Sequence, residues 1–141
     1  MLLRQGATLR SSTRETLALT LSFSFSFQNE VDAMITRETA TRIAYVAAEQ
    51  AMRRPISIRP ELTIEREFCW VFFYDSAEYV ANGNDSAKLF GNAPIIVNGN
   101  TGKASMTGTN HPIEAYLAAY EALGSERFDR GEWREFLRVK G

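Results

Sequence analysis

A chain of 141 residues with 45% hydrophobic and 23% charged content is long enough for one domain with a real core, and its composition is that of an ordinary globular protein. Its 16 basic and 17 acidic residues leave a net charge of −1, which argues against nucleic acid or an anionic membrane as the main partner, since both usually call for a basic patch. One cysteine, Cys69, excludes an internal disulfide and a cysteine metal cluster and fits a reducing cytoplasm.

Residues 1–33 differ from the rest of the chain. Leu17, Leu19, Leu21, Phe23, Phe25 and Phe27 alternate with Ala18, Thr20, Ser22, Ser24 and Ser26, the period-2 pattern of a strand. A signal peptide fits poorly: serine interrupts the apolar run at every second place, Glu15 sits in the basic region and no small-x-small cleavage site comes after it. The segment is also too short and too polar to span a membrane. The favoured reading is an extension upstream of a domain that starts at Met34; if translated, it is an added edge strand or a disordered arm.

Thr36 is placed to cap a helix over Arg37–Arg53, ended by Pro55, with Ala40, Ile43, Ala44, Ala47 and Ala51 as its apolar stripe. The small alanines suggest close approach to a sheet. A second strand is expected within Ile56–Glu67, with Leu62 and Ile64 on one face and Pro60 near its start or on an edge. Phe68–Tyr74 is seven residues without glycine, proline or charge, and both its faces are apolar. This predicts a central strand covered on both sides, with Trp70 buried against one of the helices. The stretch 75–90 is mixed, with short helical turns around the loop signal Asn82-Gly83-Asn84-Asp85. Ile95–Val97, the loop Asn98–Gly102 and Lys103–Thr107 read as a hairpin. Asn110 or His111 caps the next helix, Pro112 fits its first turn, and Ile113, Tyr116, Leu117 and Tyr120 form its apolar face up to a stop at Gly124. Phe128, Trp133, Phe136 and Leu137 mark a last short amphipathic helix that packs back on the domain or docks to a partner.

The run Trp70-Val71-Phe72-Phe73-Tyr74, the stretch Leu89-Phe90-Gly91-Asn92-Ala93-Pro94 into Ile95-Ile96-Val97, Asn100-Thr101-Gly102, and Gly108-Thr109 through Tyr116-Leu117 together resemble the YrhB / immunity protein 35 family. Trp70 matches that family's tryptophan in an aromatic strand, and Gly91 and Pro94 match its G-x-x-P motif. The likeness covers roughly Met34 to Leu123. It implies an α+β fold and a bacterial protein encoded beside polymorphic toxins that binds and neutralises one of them. A chaperone-like holdase that binds unfolded client proteins is the alternative within the same family. A small enzyme is the third reading.

The residues themselves offer no catalytic constellation. Cys69 lies mid-strand, away from any electropositive helix start, and reads as an inert buried thiol. His111 reads as a capping residue. Asp75, Glu78 and Asp85 lack calcium-loop spacing and read as solvated carboxylates. The glycine-bearing loop Asn98–Gly102 opens a strand rather than a helix, so it does not read as a phosphate cradle.

The expectation is therefore an α+β fold: a small antiparallel sheet of about four strands packed against an N-terminal and a C-terminal helix. The divisions are an extension at 1–33, a domain at 34–124 and a C-terminal amphipathic tail at 125–141. No cofactor, metal or catalytic residue is expected, nor any nucleic-acid or membrane partner. Two places are candidates for contact with a protein partner: Asp75, Glu78, Tyr79 and Asp85 in the loop after the aromatic strand, and Asn98 and Asn100 at the hairpin tip. Trp70, Gly91 and Pro94 are expected to be structural.

Overall fold

The structure, a computed structural model, describes residues 34–140; the alternating strand expected over Leu17–Phe27 lies outside them. Helix α1 (Arg37–Met52) begins where expected, with the Thr36 side chain accepting a hydrogen bond from the Thr39 backbone N–H at 3.1 Å. It ends at Arg53, which turns left-handed with φ 58° and donates its N–H to the Glu49 carbonyl. The buried stripe is Ala40, Ala44 and Ala48, all fully enclosed, whereas Ala51 is exposed. Residues four apart stack on one helix face, so Ala48 continues the seam and Ala51 falls off it.

The expected strand within Ile56–Glu67 is two shorter ones. Strand β1 (Ile56–Ile58) is followed by a 3-10 turn at Pro60–Leu62 and then β2 (Ile64–Glu65). Pro60 supplies the fixed φ of the turn's first position, which interrupts the ladder.

The aromatic run is also divided. Strand β3 (Cys69–Phe72) is buried throughout, and Phe73 then breaks the ladder, its carbonyl accepting from the Arg59 N–H at 2.7 Å. Strand β4 (Tyr74–Ser76) pairs instead with β1, with Ser57 opposite Asp75. A single seven-residue strand is therefore corrected to two strands in two sheets. The residues are apolar enough for either arrangement, and the bend at Phe73 buries both halves.

The hairpin is as read: β5 (Ile95–Asn98) and β6 (Ala104–Met106) pair antiparallel, with Ile96 opposite Ser105. The main sheet is four-stranded and antiparallel, in the order β2-β3-β5-β6. Helix α2 (Ala77–Asn82) comes directly after β4.

Side chains alternate across the sheet. Cys69, Val71 and Ile96 join Tyr116, Leu117, Tyr120 and Phe128 in one buried cluster under the C-terminal helices. Trp70, Phe72, Ile95 and Val97 turn to the opposite face, on the side of α1. The sheet thus has a helical layer on each side, an α+β arrangement.

Helix α3 (Ile113–Asp129) starts without the expected side-chain cap. Pro112 occupies the cap position with no side-chain bond, and its carbonyl accepts from the Ala115 N–H. His111 is exposed and meets the Tyr116 ring edge-on at 5.6 Å, so it is a packing neighbour rather than a cap. Gly124 breaks the helix at φ 83° and ψ 162°, a conformation that side chains disfavour, and helical geometry resumes after it. Helix α4 (Trp133–Lys140) folds back onto α3: Trp133 meets Tyr116 at 5.1 Å and Phe128 at 6.2 Å. Residues 35–140 form one compact unit.

Candidate functional site

Between Ser76 and Ala93 the chain makes an excursion whose two ends are tied together at the sheet. Asp75 sits in β4 and is only 5% exposed. Its Oδ1 accepts from the Ser76 N–H and from the Leu89 N–H, each at 2.8 Å. One buried carboxylate thus holds the start and the return of the loop. Beside it the Tyr74 hydroxyl donates to the Ala93 carbonyl and the Asn92 amide donates to the Tyr74 carbonyl, each at 2.8 Å. Burial pushes the Tyr74 hydroxyl up to about 12, so it keeps its proton.

The excursion is ordered along its length. The Ser76 Oγ caps α2 by accepting from the Tyr79 N–H at 3.0 Å. Asn84 caps a 3-10 turn at Asp85–Ala87 and donates its amide to Glu78 at 2.7 Å. Ala87 and Leu89 are buried beneath the loop. This is a compact loop packed by its own side chains over a closed base, the kind of surface element that carries function.

What the loop presents is Phe90, 91% exposed, between buried Leu89 and left-handed Gly91 at φ 74°. Open space surrounds the position a Gly91 side chain would take, so this glycine is there for its dihedral rather than for room. A tight turn in which the Ala93 N–H donates to the Gly91 carbonyl at 2.9 Å leads on to Pro94 and β5. Pro94 is anchored in turn, its carbonyl accepting from the N–H and the hydroxyl of Thr107. Around Phe90 in the sequence stand Glu78 and Asp85, both exposed, half-buried Tyr79, and Lys88, whose ammonium lies 5.5 Å from the Tyr79 ring.

Sequence position alone puts Asp75 among exposed loop acids. The fold corrects this: Asp75 is a buried clamp inside a strand, because two backbone donors need a buried acceptor there. Glu78, Tyr79 and Asp85 do lie together on the excursion. At the hairpin tip, the Asn98 side chain accepts from the Asn100 and Thr101 N–H groups at 2.9 Å and donates to the Tyr120 hydroxyl at 3.1 Å. It is committed to shaping the turn, while Asn100 is exposed. Trp70 is buried in β3.

Phe90 has no role of its own in the sequence reading, which takes it as the end of a helical turn. The available signal is a large aromatic directly before glycine in a segment that is otherwise polar.

A concavity of about 630 Å³ lies between α1 and β1, with Arg37, Arg42, Tyr45, Ile56 and Ile58 in its walls. Among the described residues no group of three or more histidine, cysteine or acidic side chains is placed to hold a metal. Cys69 is fully enclosed, and burial pushes its thiol up to about 12, so it is a poor nucleophile. No helix among the described residues is long and apolar enough to cross a membrane.

The sequence profile of the family described as immunity protein 35 matches residues 38–122, more than half of the chain and all of the clamped loop. The chain belongs to the immunity protein 35 family. It is also similar to the uncharacterized protein YrhB of Escherichia coli strain K12, with 38% identity over 52 residues, covering 37% of this chain and 55% of YrhB. The chain thus spans about half the length of that curated relative. No solved structure matches. Within the family span fall α1, both sheets, the clamped loop and most of α3; α4 and the aromatic contacts that hold it lie beyond.

Proposed function

We propose that the protein is an immunity protein that neutralises a cognate bacterial toxin by stoichiometric binding in the cytoplasm, without turnover or cofactor, and that the clamped loop is its contact surface. The observation that carries this reading is Phe90, almost wholly exposed on a pre-ordered loop inside the family span. Binding energy at protein interfaces concentrates in a few anchors that become fully buried. Burying a phenylalanine side chain contributes about 1.5–3 kcal/mol. A loop already tied at its base loses little further conformational freedom on binding. Exposed Glu78 and Asp85 give the rim an acidic bias that would steer a basic toxin.

A holdase for unfolded clients would use a broad apolar surface. The exposed large apolar residues among the described ones, Tyr45, Val46, Leu62, Val80, Phe90, Met106 and Val139, are spread along the chain from α1 to α4, and Phe90 at 91% is the most exposed of them, which supports an anchor there.

The test is co-expression with the toxin encoded beside the gene. Wild type should rescue growth and co-purify with the toxin. Phe90→Ala should weaken the complex by at least about 2 kcal/mol. Its urea midpoint should move little, since exposed substitutions stay within about 0.5 kcal/mol. Charge reversal at Glu78 and Asp85 should slow association without shifting the melt. Full rescue by Phe90→Ala would remove the loop from the interface.

A further inference from the structure

The sheets have four edge strands among the described residues, and three of them are guarded. On β4 the outward Tyr74 carbonyl and Ser76 N–H are taken by the Asn92 and Asp75 side chains. β1 is flanked by Pro55 and Pro60, and β2 ends in Glu65-Arg66-Glu67. Proline and charge at an edge are the usual protection against pairing with another chain. β6 reads Ala104-Ser105-Met106, with no charge or proline within it, its flanking Lys103 is drawn aside to Asp129 at 3.0 Å, and Met106 is 38% exposed.

The backbone of β6 is set up to pair further. The Asn98 N–H donates to the Lys103 carbonyl, and the Thr107 N–H donates to the Pro94 carbonyl. With Ile96 opposite Ser105, these bonds make residues 103, 105 and 107 the ones that exchange hydrogen bonds with β5. Ala104 and Met106 therefore turn their N–H and C=O groups to the open edge.

Beside β6 lies a groove of about 380 Å³ bordered by Ser105, Thr107, Trp133 and Arg134. Ser105 lines this groove and is only 3% exposed, yet its Oγ is buried without a hydrogen-bond partner.

We propose that the β6 edge is a self-association surface, occupied by β6 of a second copy in antiparallel register about a two-fold axis at Ser105. That register is self-complementary. Ala104 of each copy exchanges both backbone hydrogen bonds with Met106 of the other, and the long exposed methionine lies over the small alanine. The two Ser105 residues face each other as a close, non-hydrogen-bonded pair. Lys103 falls opposite Thr107, so no like charges meet along the strand, and Lys103 already has Asp129 at 3.0 Å. Symmetry closes the contact after two copies, which avoids open-ended pairing. So short a strand pair lies below the roughly 1,200 Å² of a stable interface, so the dimer should be weak, with a dissociation constant in the range of about 10–100 μM.

The experiment is sedimentation equilibrium of the full chain across that concentration range, with amide exchange read by nuclear magnetic resonance. The expected result is a monomer–dimer equilibrium in which the Ala104 and Met106 amides become protected as concentration rises. Met106→Lys puts a charge on the edge, and Ala104→Pro removes an outward donor that the fold does not use. Each should weaken the dimer at least about tenfold, the effect of removing roughly 1.4 kcal/mol. Ser105→Cys should cross-link under mild oxidation and Thr101→Cys should not; Cys69 is enclosed and does not compete. If either edge variant misfolds, the other together with the amide protection decides. A chain that stays monomeric throughout the range overturns the proposal, as does a dimer that both edge variants leave unchanged.

Discussion

Phe90 holds an aromatic ring in water because its two neighbours leave it no alternative. Leu89 is drawn inward and ties its N–H to Asp75, and Gly91 turns left-handed immediately after. Trp70 is the opposite case, an aromatic held inside. It is buried in a central strand, and its indole N–H is enclosed without a partner. Its contribution must therefore come from packing rather than from hydrogen bonding. Trp70→Ala should cost about 3–5 kcal/mol, the range for large core truncations. Urea denaturation followed by far-UV circular dichroism checks this, and a loss under about 1 kcal/mol would contradict the burial. Both residues lie in stretches that carry the family resemblance, yet only one is readable as structural from composition. An aromatic in an unbroken apolar run announces a core position, whereas an aromatic before glycine in a polar loop announces neither burial nor exposure.

At the scale of elements, the excursion from Ser76 to Ala93 depends on one carboxylate. Asp75→Ala would leave the Leu89 N–H and the Ser76 N–H buried without their acceptor, at a cost of about 1–3 kcal/mol. The larger consequence should be local. The Leu89 amide should exchange slowly in wild type and at least tenfold faster in the variant, while amides of β3 and β5 lose protection only in proportion to global stability. Toxin affinity should fall with loop order even though Phe90 is intact. Uniform acceleration across the sheet would mean that Asp75 serves the core alone. This element shows where sequence reading stops. The hairpin β5–β6 is legible because its signals are local: two short runs, Ile95–Val97 and Lys103–Thr107, joined by a five-residue loop holding two glycines. The clamp is not, because Asp75 meets its distant donor 14 residues on, and sequence position alone makes it one more loop acid. The split of Phe68–Tyr74 between two sheets is illegible for a related reason: every residue in the run suits a buried strand, and only the pairing of β1 with β4 reveals the bend. The last helix, by contrast, packs back through Trp133 and Leu137, residues that its amphipathic spacing singles out, and meets Phe128 at the end of α3.

For the whole molecule, the two helical layers enclose ionisable groups that the folded state keeps neutral. Burial pushes both the Cys69 thiol and the Tyr74 hydroxyl up to about 12. Each folded value lies above the unfolded one, so these groups leave stability unaffected below about pH 7.5, and the loss begins as the unfolded thiol, with an ordinary value of about 8.5, ionises. It falls as pH rises from there toward about 12, because the unfolded chain releases protons that the folded chain retains. Thermal melts should show a plateau through neutral pH and a steep decline above about pH 9. A melting temperature that stays flat to pH 11 would place both groups in contact with water. The near-neutral charge of the chain fits a protein that recognises one partner through a local surface rather than through its overall field.

The central claim is neutralisation by occupancy, and a titration of toxin activity against added protein tests it most directly. At toxin concentrations well above the dissociation constant, residual activity should fall linearly and reach zero at one equivalent of this chain. Phe90→Ala should turn the sharp break into a shallow curve shifted to higher concentration. Complete inactivation at a small fraction of an equivalent, continuing to progress with time, would show turnover and contradict the account.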